Sequence, residues 1–174
     1  MTDASHQIDK LLTGELASLL DESLKKIRHC VGQLSDEQLW RRPAPAMNSV
    51  GNLLLHISGN LRQWAICGLG QLPDERDRDG EFSATGGLSG EELLDLVEKT
   101  VREAAKLLQE LNSDSLSQPR SIQGFDVTVL GALSHTVTHF VGHTHQIILL
   151  TRLMLGDDYN FQWSPATPRG NVPI

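Results

Sequence analysis

The chain is short of positive charge: 15 lysines and arginines face 22 aspartates and glutamates over 174 residues, giving a formal charge of −7. Proteins built to grip a phosphate backbone carry a basic stripe, so this balance argues against nucleic acid as a partner. Cysteine is scarce too. Cys30 and Cys67 lack the CxxC spacing of a zinc knuckle or a thioredoxin-like redox pair and are expected as reduced, partly buried thiols. No segment approaches the roughly 20 uninterrupted apolar residues that span a bilayer, which argues against membrane insertion. The start, "MTDASHQIDKLL", lacks the basic head, apolar middle and small-residue cleavage site of a secretory signal, so the cytoplasm is the expected compartment. No stretch reads convincingly as a strand.

What is present is helical period. Ile8, Leu12, Leu16, Leu20, Leu24, Ile27 and Val31 step by three or four along one face, and Gly32 supplies a stop. "SDEQ" from Ser35 to Gln38 reads as a capping box that opens a short turn ahead of the proline-punctuated "RRPAPAM". A second long helix is expected from Asn48 or Ser49 toward Gly68, carrying Val50, Leu53, Leu54, Ile57, Leu61 and Trp64 inward. Residues 70–87, rich in glycine and charge, read as a loop. Ser89 with Glu92 caps a third helix whose seam is Leu93, Val97, Val101, Ala104, Leu108 and Leu111. The fourth is expected from about Asp126 to Leu155, with Gly156 ending it. Each apolar stripe can be buried only against another helix, so the expected fold is all-α, a four-helix bundle in a single domain over residues 1–174. Its core spans about 8–156; the proline-rich tail 157–174 is irregular, with Phe161 and Trp163 packing back.

The chemistry concentrates in "LSHTVTHFVGHTHQ", where four of the seven histidines, His135, His139, His143 and His145, fall between residues 133 and 146. Residues four apart on a helix lie about 5–6 Å apart at Cβ and can converge on one ion. His135 and His143, eight apart, are about 12 Å apart along the axis and cannot both join His139 on it. Leu130, Leu133, Val137, Phe140, Thr144, Ile147 and Ile148 mark the inward face, and His143 lies nearer to it than His135. The pair chosen is therefore His139 with His143, the shifted pair His135 with His139 remaining the alternative; His145 falls on the solvated side. A catalytic metal commonly takes three protein ligands. On the second helix Asn52, His56, Asn60 and Gln63 form a polar line beside the apolar face, so His56 becomes the third ligand if the two helices meet along these edges. If they do not, His56 is a hydrogen-bonded core histidine and the HxxxH pair a solvated one.

Absences again narrow the chemistry. "HFVGH" lacks the glutamate of HExxH, and no acidic residue lies between Asp126 and Asp157, which disfavours a zincin-type protease. The Glu-x-x-His motifs of a carboxylate-bridged di-iron bundle are missing as well. In "RDRDGEF", Arg76, Arg78 and Glu81 could border a metal, but solvated loop charges are the favoured reading, and they stay out of the expected site.

The segments "LSDEQLWRRPAPAMNSVGNLLLHISGNLRQW" and "HTVTHFVGHTHQIILLTRLMLG" resemble the DinB-like superfamily, the YfiT-related metal-dependent proteins, from roughly residue 8 to 156. The resemblance implies a four-helix bundle, often a homodimer, with a divalent metal on one histidine of the second helix and an HxxxH pair of the last. These match His56, His139 and His143, in a register set by Gln146 and Ile147. It also implies a function: a divalent-metal-dependent enzyme acting on small molecules in detoxification or stress. The implied reaction is an S-transferase using a low-molecular-weight thiol or a hydrolysis; the alternative is a noncatalytic metal-binding or interaction bundle. Zinc or nickel is the expected ion.

Overall fold

The computed structural model describes residues 3–161. Four long helices dominate it: α1 (Asp3–Val31); α3 (Val50–Leu61), prolonged by a π-helical turn (Arg62–Cys67) and α4 (Gly68–Gly70); α6 (Gly90–Glu110); and α8 (Val129–Leu155). Between them lie the short helices α2 (Asp36–Trp40), α5 (Arg78–Ser83) and α7 (Ser113–Leu116), and a hairpin of β1 (Pro119–Ile122) and β2 (Phe125–Thr128). α1 and α3 each pack on both α6 and α8, so α1 lies diagonal to α3 and the connection through α2 spans that diagonal. The core between them is aliphatic, with Leu20, Ile27, Leu54, Ile57, Leu61, Leu93, Leu108, Leu133, Phe140 and Ile147 all fully buried. No helix among the described residues is long and apolar enough to cross a membrane.

The expected caps are present. Ser35 with Gln38, Ser49 with Asn52 and Ser89 with Glu92 each close a reciprocal box, satisfying backbone N–H groups that the first helical turn leaves without partners. Gly156, at φ 56°, ends α8.

Several expectations need correction. Residues 126–128, assigned from sequence to the start of the fourth helix, belong instead to the strand Phe125–Thr128, and α8 begins only at Val129, where the Thr128 side chain accepts from the Gly131 N–H. The strand pairs antiparallel with Pro119–Ile122, Ile122 opposite Phe125. Gln123 and Gly124 between them both have positive φ, 53° and 79°. A two-residue turn with both φ positive matches the right-handed twist of a hairpin, and its usual signal is Asn-Gly; here Gln takes the first position, which hid it. Within the expected loop 70–87, "RDGEFS" coils into α5. Leu130, placed on the inward face, is 39% exposed because the helix is only beginning there, and Ile8 lies on an exposed stretch of α1. Both cysteines are buried rather than partly so. Phe161 stacks edge-on against Tyr159 yet stays 61% exposed; Trp163 lies outside the described residues.

Candidate metal centre

α3 and α8 meet along the polar edges that their sequences carry. The seam is pinned by a buried hydrogen bond in which the Thr136 hydroxyl donates to Asn60 Oδ1 at 3.1 Å. One turn away, the His56 and His139 Nε2 atoms stand 3.1 Å apart. The His143 ring lies 4.9 Å from that of His56 and 4.4 Å from that of His139, centroid to centroid. One ligand nitrogen from each of the three can be chosen so that all lie within 4.8 Å of one another, and these three histidines could hold a metal ion. Nitrogens about 2.0–2.1 Å from one tetrahedral zinc are themselves about 3.3 Å apart, so the 3.1 Å pair already stands near ligand spacing.

His135, the alternative partner for His139, stands outside this group of three. The His135 ring sits 5.7 Å from that of His139 and packs instead on Trp64, at 4.2 Å, away from His56. His145 is exposed, as expected.

The remaining nitrogens of two of the rings are occupied. His143 Nδ1 lies 2.8 Å from Gln146 Oε1, an acceptor, so Nδ1 carries the proton and Nε2 keeps its lone pair. His56 Nδ1 lies 3.1 Å from Glu81 Oε2. The ordinary imidazole value is 6.5; burial, then the neighbouring His143, His56, His135 and Arg76, pushes His139 down to about 4. Burial also holds His143 below its ordinary value, against the opposing bond from Gln146. Uncharged imidazole is the form that ligates.

The sequence reading left out Glu81 and Arg76, and the structure buries both: their side chains are 9% and 5% exposed. Arg76 donates from Nε to Glu81 Oε1 at 2.6 Å and from Nη2 to Oε2 at 2.7 Å, a two-pronged pair, and from Nη1 to Gln63 Oε1 at 2.8 Å. Gln63 in turn donates to Asp74. Asn52 holds the loop by its backbone, donating to the carbonyls of Glu81 and Ala84 at 2.9 and 2.8 Å. Thus the whole polar line of the second helix is used, Asn60 toward α8 and Asn52, His56 and Gln63 toward the loop. Burial drives the Glu81 carboxyl up, but the bonds from Arg76 and His56 outweigh it and hold the group below the ordinary carboxylate value. The available signal was the charge alternation of "RDRDGEF" against that uncharged polar line, which needs partners once buried. Arg78, by contrast, stays exposed, with its guanidinium 4.9 Å from the Phe82 ring centre.

Gly59 makes room for this pair. A Cβ there would stand 1.9 Å from Glu81 Oε1 and 2.9 Å from Arg76 Nε, atoms that the ion pair prevents from swinging aside. Alanine ordinarily favours a helix interior over glycine by about 1 kcal/mol. We expect Gly59→Ala to reverse that sign and destabilise the protein by about 1–3 kcal/mol, as overpacking does, measured by urea unfolding.

Solved structures share this architecture. A conserved protein from Enterococcus faecalis superposes with a TM-score of 0.67 at 20% identity, over 83% of this chain and 97% of that one. A DinB-like protein from Bacillus cereus gives 0.61 at 20% identity, over 76% and 85%. A DinB-like protein from Bacillus subtilis gives 0.64 at 17% identity, over 84% and 96%. No curated protein matches the sequence. The fold is thus that of the DinB-like helical bundles, with three histidines able to hold an ion at one seam. More particularly, the chain belongs to the DUF1572 family, a family of proteins of unknown function, whose model matches residues 12–170.

Proposed function

We propose that this protein is a divalent-metal-dependent enzyme that transfers a low-molecular-weight thiol to a small electrophile, with His56, His139 and His143 holding zinc or nickel. Three neutral imidazoles add no negative charge, so a divalent ion bound there keeps its full charge and favours the thiolate form of a thiol that approaches it.

The observation that selects a thiol over water is the state of Glu81. Among the described residues it is the carboxylate hydrogen-bonded to the trio, and both its oxygens are engaged by Arg76. Activating water for attack commonly draws on a positioned base, and a carboxylate locked to a guanidinium serves that role poorly. A thiol, with an ordinary pKa near 8.5, needs far less help to ionise. The half-buried positions of His139 and His143 put the trio at the edge of the bundle, within reach of a small molecule, rather than sealed in its core. The proposed assembly is a cytoplasmic homodimer, with small molecules rather than nucleic acid or membrane as partners.

Purified protein loaded with zinc and offered a panel of small electrophiles is expected to form thioether products only when a low-molecular-weight thiol is present. Turnover that is independent of thiol and yields hydrolysis products would overturn the transferase reading in favour of a hydrolase. Stoichiometric metal without turnover across the panel would favour the noncatalytic bundle.

A further inference from the structure

Two groups crowd His56 Nδ1: Glu81 Oε2 at 3.1 Å and Arg76 Nη2, also at 3.1 Å. They demand opposite things. A carboxylate requires that Nδ1 carry a proton; a guanidinium, which is always protonated, requires a lone pair there. The first choice leaves the Nε2 lone pair free to face His139 and a cation. The second puts a proton on Nε2 and blocks it.

The hydrogens of Arg76 decide between them. Nη2 has two, one committed to Glu81 Oε2 at 2.7 Å and the other within reach of both His56 Nδ1 at 3.1 Å and the His56 carbonyl at 3.5 Å. Nε and Nη1 are taken by Glu81 and Gln63. With the proton on Nδ1, the second Nη2 hydrogen still has the carbonyl to bond and Nδ1 donates to the carboxylate; with a lone pair on Nδ1, two lone pairs would face one another 3.1 Å apart at Glu81 Oε2, so the first arrangement is the one that satisfies every group.

We infer that the Arg76–Glu81 pair, carried on the connection between α4 and α6, positions His56: Glu81 fixes the tautomer whose Nε2 lone pair faces the ion, and Arg76 fixes Glu81. This rests on the metal reading above. It makes Glu81 a positioning residue and not a base. It also explains why a buried ion pair sits where aliphatic side chains would fill the same space: such pairs are often no more stabilising than apolar replacements, so a role in fixing a ligand accounts for what packing does not.

The experiment reads the histidine side chains of metal-free protein by 1H–15N correlation, together with zinc affinity by competition with a chelator. In the unaltered protein His56 is expected with its proton on Nδ1. In Arg76→Met with Glu81→Met, where both charges leave together and the fold is expected to persist, that preference is lost and zinc affinity falls about 10–100-fold. Glu81→Gln, which retains an acceptor oxygen for Nδ1, restores part of the affinity. A double variant that folds and binds zinc as tightly as the original, or a His56 proton on Nε2 in both proteins, would overturn the inference. Unaltered protein that binds no zinc while His56 still carries its proton on Nδ1 overturns the metal reading instead, and with it the purpose assigned to the pair.

Discussion

Protein in which His139 is replaced by alanine is expected to emerge from purification without bound metal, and the unaltered protein with it. His139 belongs to every convergent arrangement of the seam: its Nε2 is 3.1 Å from that of His56, and its ring is 4.4 Å from that of His143. Structural zinc sites with four ligands contribute about 10–16 kcal/mol, so one ligand is worth roughly 3 kcal/mol, or about two to three orders of magnitude in affinity. Elemental analysis should find about one ion per chain in the unaltered protein and essentially none in His139→Ala or His56→Ala. His135→Ala is the control. Its ring packs on Trp64 and stands outside the trio, so its removal should leave the metal content unchanged. Full occupancy in either of the first two variants would exclude the assigned ligands.

The second large effect is one of stability. Arg76→Ala leaves a carboxylate, its side chain 9% exposed, without its guanidinium. Breaking a buried pair from one side costs about 3–5 kcal/mol, which for a domain of this size lowers Tm by roughly 6–20 °C. The sign of its pH dependence follows from Glu81. The folded protein holds this carboxyl below its ordinary value of 4.5, so its contribution is complete above that value and is lost as pH falls through the folded-state value. In Arg76→Ala, burial is no longer outweighed, and the group takes up its proton at higher pH. The gap in stability between the two proteins should therefore be widest near neutrality and narrow below pH 4.5. Urea unfolding across a pH series checks it, and a gap that is constant with pH would show that Arg76 acts through packing alone.

The four long helices could be read from sequence because each carries an apolar stripe at helical spacing and most carry a cap, both local properties. That His143 rather than His135 falls in with His56 and His139 was also legible, since helical geometry fixes which residue of the fourth helix turns toward Phe140 and Ile147. What stayed hidden depends on contacts between distant segments. The hairpin at 119–128 buries just one of its residues, Ile122, and the alternation of Phe125, Asp126, Val127 and Thr128 is only four residues long, too short to stand out against the helical spacing that follows it. Glu81 and Arg76 look like solvated charges when taken one at a time. They become buried only because His56, Gln63 and the glycine at 59 give them partners and space on a helix some 20 residues away in sequence.

The candidate ligands come from two rigid helices locked together by Asn60 and Thr136, whereas the carboxylate behind His56 and the phenyl ring of Phe82, 4.6 Å from His56, come from the connection that follows. Duties are thereby divided between scaffold and insert. Relatives of such a chain with an altered insert would keep the three histidines on the paired helices but gain or lose the groups that aim His56, so the insert could retune the site with no change to the bundle.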